Sequence, residues 1–153
     1  MKRTRTHRLA PERARGFTLI ETLVTVAIAG VLSSVAYPSL EGQVLRARRT
    51  DALVALLQAQ LAEERYRANN ASYGSLAEAG LLPTSPAGYY TVQVASAGTD
   101  GYALLASANA RQARDATCRY LAPTLSDASL GYASGADEAT SNPADINRRC
   151  WSR

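Results

Sequence analysis

The 153-residue chain has a single histidine, His7, and a single lysine, Lys2, both within its first sixteen residues. If those residues are removed, the remainder has no imidazole for a Ser-His or Cys-His nucleophile pair and no histidine to ligate a metal. It also has no lysine for a Schiff base, a Ser-Lys dyad or a phosphate-cradling loop. Most familiar catalytic kits are excluded, and two cysteines without histidine do not make a zinc site. Phenylalanine, tryptophan and methionine occur once each, so aromatic packing rests on the eight tyrosines. With 46% hydrophobic and 20% charged residues, the chain is neither a disordered polymer nor a multidomain enzyme. It fits one small folded unit with appendages.

The formal charge of +4 is misleading. Residues 1–16 hold Lys2, Arg3, Arg5, Arg8, Arg13 and Arg15 against Glu12, a net +5, and the rest of the chain is left at −1. Removing this leader removes the basic protein. After it, residues 17–40 (FTLIETLVTVAIAGVLSSVAYPSL) are apolar or small apart from Glu21. As helix they span about 36 Å, enough for a hydrocarbon core of roughly 30 Å. The stronger basic excess on the leader side leaves the leader in the cytoplasm and exports the C-terminal part. The same pattern admits a buried core helix, a secretory signal cut near Ser34-Val35-Ala36, or a plain single-span anchor. Glu21 argues against the last two, since a carboxylate within a membrane helix costs on the order of 2.5–3.5 kcal/mol.

A basic leader ending in Gly16, then Phe17-Thr18-Leu19-Ile20-Glu21, with Gly30 and Pro38 further on, resembles the N-terminal signature of type IV pilins. The resemblance implies cleavage by a prepilin peptidase between Gly16 and Phe17 and N-methylation at Phe17. It also implies assembly roles for Glu21, Gly30 and Pro38. Thr22 and the pair Ser33-Ser34 depart from the usual apolar residues, and the leader is on the long side. Chemically, cleavage creates an amine one helical turn from Glu21. In a bundle of such helices that carboxylate can pair with a neighbour's amine, and losing one partner of such a buried pair typically costs about 3–5 kcal/mol. Snorkelling of Glu21 to the headgroups is the alternative. Pro38 lacks an N–H and crowds the carbonyl of Ser34, and Gly30 lowers helix propensity by about 1 kcal/mol, so residues 31–37 form a weak point.

Residues 41–69 continue as an amphipathic helix, with Leu40, Val44, Ala47, Val54, Leu57 and Leu61 near one face. Asn69 and Asn70 suit its C-terminal cap, and residues 75–80 read as a short helical turn closed by Gly80. Residues 89–95 and 102–107 are strand-like around an Asp100-Gly101 turn, with a third strand at 117–121 and a short fourth at 131–133. The expected fold class is α+β: a long N-terminal helix, membrane-spanning in its first half, packed on a small antiparallel sheet, with the exported domain over residues 70–153. Cys118 and Cys150, both in the exported part, read as one disulfide, with two free thiols as the alternative. Closing that loop stabilises by roughly 3.7 kcal/mol in the chain-entropy model.

The pattern from Ala62-Glu63-Glu64-Arg65-Tyr66 through the hairpin, Gln112, Asp115 and Cys118 to Arg149-Cys150-Trp151 resembles minor pilins of type IV pili, the E-type among them. Resemblance implies a non-enzymatic, cofactor-free subunit acting in pilus assembly, twitching motility and adhesion. Its implied partners are other pilins in the filament, the prepilin peptidase, the inner-membrane assembly platform and the inner membrane itself. Before assembly it would be a single-pass inner-membrane protein with a periplasmic C-terminal part, and afterwards part of an extracellular pilus. Two further readings stay open: a pseudopilin of a type II secretion system, and a DNA-binding pilin for natural transformation. Arg111, Arg114, Arg119, Arg148 and Arg149 would supply a phosphate-gripping strip for the second, diluted by Asp115 and Asp145. Asp137, Glu138, Asn142, Asp145 and Asn147 could line a calcium loop, although their spacing misses the EF-hand pattern and a solvated polar loop explains them as well.

Overall fold

The computed structural model describes residues 16–151. Its elements in chain order are α1 (Leu19–Arg67), β1 (Tyr90–Ala97), β2 (Gly101–Ala108), β3 (Tyr120–Ser126), β4 (Ser129–Gly135) and α2 (Ala144–Cys150). Two short 3-10 turns, Ala110–Arg114 and Ala116–Cys118, lie between β2 and β3. The architecture is the α+β one expected from the sequence, a long N-terminal helix and a small antiparallel sheet. Contacts divide the chain after Pro38 into two units, Met1–Pro38 and Ser39–Arg153.

In the first unit α1 begins with a capping box. Thr18 Oγ1 accepts the Glu21 N–H at 3.3 Å and Glu21 Oε2 accepts the Thr18 N–H at 3.4 Å, so two of the first turn's unpaired donors are met. The helix is unbroken through Gly30 to Val35. The weak point expected over 31–37 falls partly on residues 36–39, whose side chains lie outside the described set, as does Pro38 itself. Residues 1–15 of the leader lie outside the described residues as well. Among the described residues no single helix is long and apolar enough to cross a membrane. Leu19–Val35 and Leu40–Arg67 meet that demand only as a pair, by length and composition.

In the second unit α1 lies against an antiparallel meander of order β1-β2-β3-β4. The helix ends as its caps predict: Asn69 and Asn70 donate side-chain amides to the carbonyls of Arg65 and Tyr66. The core joins Ala52, Leu56 and Ala59 of α1 to Tyr90, Val92, Leu104 and Leu121 of the sheet. The predicted face is wrong. Leu40, Val44, Val54, Leu57 and Leu61 are all exposed, and the buried positions of α1 are Arg49, Ala52, Ala55, Leu56, Ala59, Ala62 and Glu63. Small residues let the helix backbone approach the sheet closely, so alanines take the inner face and the larger apolar side chains are left outside.

The hairpins follow local chemistry. Asp100-Gly101 turns β1 into β2, and a Cβ at Gly101 would overlap the Leu125 carbonyl of β3, so only glycine fits. The β3–β4 turn is Asp127-Ala128, both with positive φ (47° and 63°), a two-residue primed turn without the glycine that usually announces one. The third strand starts at Tyr120 rather than Thr117, because Ala116–Cys118 turns to bring Cys118 to Cys150. The fourth is longer than expected. Between β2 and β3 the register skips from Ala103↔Thr124 to Ala106↔Leu121, across Pro123, which has no N–H to donate.

The inward alanines generate a prediction. Ala59→Leu overpacks the helix–sheet contact and is expected to destabilise the protein by about 1–3 kcal/mol, whereas Leu57→Ala on the outer face changes stability by less than about 0.5 kcal/mol. Chemical unfolding of the full chain in detergent measures both.

Candidate functional site

The first unit presents an apolar surface with its polar groups turned inward. From Phe17 to Val35 the large apolar side chains are all exposed, ranging from 50% at Val24 to 81% at Phe17. The hydroxyls that depart from the apolar run are satisfied by their own helix. Thr22 donates to Leu19 O, Thr25 to Thr22 O, Ser33 to Ala29 O and Ser34 to Val31 O, at 2.7–2.9 Å. A segment built this way leaves no side-chain hydroxyl seeking water. Glu21 is its one charged group, and its carboxylate is held by the Thr18 backbone one turn from Phe17. Gly16 and Phe17 precede the helix and are exposed, so the expected cleavage bond lies in non-helical chain.

The second unit is organised by a buried ion pair that sequence reasoning did not anticipate. Arg49 on α1 grips Asp115 with both edges of its fork, Nε to Oδ2 at 2.5 Å and Nη2 to Oδ1 at 2.8 Å. Its Nη1 donates to the Arg149 carbonyl of α2 at 3.1 Å. Gln112 donates to the Leu45 carbonyl and to the Tyr90 hydroxyl, both at 3.0 Å. Burial pushes the Tyr90 phenol up to about 12, with the Gln112 hydrogen bond opposing the rise, so Tyr90 enters the network as a neutral hydroxyl. The sequence signal was a charged residue, Arg49, at the helical spacing of Ala52 and Leu56. Also on α1, Asp51 accepts from Ser85 Oγ and from the Ala87 and Tyr89 N–H groups, fastening the loop that precedes β1.

Cys118 and Cys150 are joined, with Cα atoms 5.5 Å apart. Beside the disulfide, α1 and α2 enclose a groove of about 400 Å³ lined by Arg46, Arg49, Thr117, Cys118, Ile146 and Arg149. Of the five arginines singled out in the sequence, only Arg149 lines it. Arg114 pairs with Glu41 at 2.9 Å, Arg119 donates to the Ala113 carbonyl, and Arg149 meets Asp145 at 3.3 Å. Arg111 and Arg148 are exposed with no ion pair recorded among the described residues.

The residues considered for calcium are used otherwise. Asn142 donates to the Thr117 carbonyl and Ser134 Oγ, Asn147 to the Tyr132 carbonyl, and Asp137 accepts from the Ala139 N–H. Among the described residues no three Asp, Glu, His or Cys side chains converge as a metal site.

Comparison with known proteins adds the following. Residues 38–122, more than half of the chain, match the family model described as type IV minor pilin ComP, DNA uptake sequence receptor. Residues 12–37 match the prokaryotic N-terminal methylation motif. Type II secretion system core protein G of Escherichia coli is 34% identical over 87 residues, covering 52% of this chain and 60% of that one. The Pectobacterium carotovorum protein of the same name is 40% identical over 76 residues, 48% of each. The type IV wide pilus major component PilA4 of Thermus thermophilus is 35% identical over 96 residues, 61% of this chain and 72% of that one. The chain thus spans less than two thirds of these secretion-system relatives.

Glu63 gives a pH test of the core. It is fully buried: Oε2 accepts the Gly74 N–H at 3.0 Å while Oε1 has no partner among the described residues. Burial raises its pKa above the ordinary glutamate value, the Gly74 hydrogen bond opposes this, and Glu78 and Glu64 add to the rise. The folded state therefore holds the proton more tightly than the unfolded chain, and the stability gained from protonation is lost as pH rises through the folded value. Glu63→Gln is expected to flatten that decline and to melt higher than the parent above neutral pH, as read by thermal melts at stepped pH.

Proposed function

This chain belongs to the type IV pilin family, and from that premise we propose that it is a structural minor subunit of a type IV pilus, serving pilus assembly, twitching motility and adhesion. It is made as a prepilin whose residues 1–16 are removed by prepilin peptidase between Gly16 and Phe17, with N-methylation of Phe17. Residues 17–40 hold it in the inner membrane, leader side inward, with residues 41–153 exported. The assembly platform then passes it into a filament among other pilins. The observation that supports this most directly is the apolar surface that none of the described residues covers. In the first unit it runs from Phe17 to Val35, and in the second, taken by itself, Leu40, Val44, Val54, Leu57 and Leu61 of α1 are exposed as well. Exposed apolar area on this scale marks a membrane or protein contact; here lipid meets it first and neighbouring helices later.

Within such a bundle Glu21 exchanges its intrahelical hydrogen bond for the terminal amine of an adjacent subunit. Mass spectrometry of the mature N-terminus is expected to find N-methyl-Phe17. A terminus at Tyr37 or an intact leader overturns the processing. Glu21→Ala is expected to be cleaved normally and to be absent from surface fibres, and normal fibres from that variant would refute the pairing.

A second reading comes from the family model's description, which names a DNA uptake sequence receptor. Of the five arginines singled out, Arg111 and Arg148, exposed and without ion pairs among the described residues, are the cations available to a duplex. On this reading the protein binds duplex DNA at low salt, and Arg111→Gln with Arg148→Gln lowers the salt slope by about two phosphates' worth. No binding at low salt ends it. A pseudopilin role remains the third reading, supported by the likeness to type II secretion core protein G.

A further inference from the structure

We infer that the groove between α1 and α2 binds the phosphate of an anionic phospholipid while the chain is held in the membrane. The inference rests on the membrane-stored stage proposed above. The groove, about 400 Å³, gathers three guanidinium groups, from Arg46, Arg49 and Arg149, and the residue Thr117, with Ile146 and the disulfide as an apolar wall. Among the described residues no carboxylate lines it, and Asp115 and Asp145 reach Arg49 and Arg149 from outside the lining. The three cations differ in what they have left to give. Arg49 spends Nε and Nη2 on Asp115 and Nη1 on the Arg149 carbonyl, which fixes it in place. Arg149 is tied to Asp145 only by an exposed pair at 3.3 Å, a contact of little worth that a phosphate can displace. Arg46 is exposed and has no ion pair among the described residues. Planar guanidinium forks match phosphate oxygens two at a time.

Position supplies the ligand's source. Leu40 closes the apolar segment, and Arg46 and Arg49 follow it by six and nine residues of continuous helix, about 9 and 14 Å along the axis. The headgroup zone extends roughly 5–7 Å beyond the hydrocarbon, and the long stem of exposed Arg46 covers the difference, while Arg49 stays fixed by Asp115 and the Arg149 carbonyl. A duplex presents a charge every ~1.7 Å along its axis and is best met by an extended row of cations. Here three are gathered in one pocket while Arg114 and Arg119 are engaged with Glu41 and the Ala113 carbonyl. A single phosphate at the bilayer surface fits this arrangement better than a polymer.

The test uses the full chain, reconstituted into phosphatidylcholine vesicles with or without phosphatidylglycerol, then extracted in mild detergent for native mass spectrometry. One phosphatidylglycerol is expected to remain per chain, with no phosphatidylcholine retained. Arg46→Gln with Arg149→Gln, whose side chains do not hold the core, is expected to lower that retention about tenfold, the scale of one charge-assisted contact. Arg111→Gln with Arg148→Gln, outside the groove, is expected to leave it unchanged. Equal loss in both double variants, or equal retention of the two lipids, overturns the site alone, since the chain still floats with the vesicles. Displacement of the lipid by short duplex DNA assigns the groove to nucleic acid and overturns it too. A chain that floats with neither vesicle overturns the membrane stage and the headgroup site together.

Discussion

The fork between Arg49 and Asp115 is the contact on which the second unit depends, because it joins parts of the chain that nothing local would bring together. Its partners are 66 residues apart, and through the Arg149 carbonyl it reaches α2 as well. A buried ion pair adds little net stability over an apolar pair of the same shape. Losing either partner, however, leaves a charge stranded in the interior, at a cost of about 3–5 kcal/mol. Its effect is therefore on register: α1 can slide or rotate against the sheet only by breaking it. Gln112 extends the same constraint to β1 through Tyr90.

That constraint accounts for the helix's two apolar faces. Arg49 and Glu63 bracket the buried side of α1, and between them the positions that meet the sheet are mostly alanine. Hydrophobicity alone pointed to the opposite side, since Leu57 and Leu61 outweigh Ala59 and Ala62 on any transfer scale. Size decides instead. A helix pinned close to a sheet has room for methyl groups, and the branched side chains are left facing out, where a filament subunit has use for them.

What could be read from the sequence was what depends on near neighbours or on a contiguous motif. The N-terminal methylation motif over residues 12–37, the Asp100-Gly101 turn, the asparagine caps after Arg67 and the α+β order of elements are all of this kind. The disulfide was legible from compartment and cysteine count. The inner face of α1, the pairing of Arg49 with Asp115 and the groove beside Cys118 were not, because each depends on how distant segments meet. Helix α2 was missed for a different reason. Seven residues, Ala144–Cys150, are too few to show a period, and its end signals, Asp145 early with Arg148 and Arg149 late, resemble a polar loop.

The segment after β4 folds back over that strand's open side. Asn142 N–H donates to the Ser134 carbonyl, Asn147 Nδ2 to the Tyr132 carbonyl and Trp151 Nε1 to the Ala133 carbonyl, while Cys150 ties the flap to Cys118. Strand edges left bare are templates for pairing with other chains. Oxidation of one thiol pair thus does more than tether the tail: it hides an adhesive margin. Without that bond the flap is held over β4 by hydrogen bonds alone, and the margin is open to another chain whenever they break.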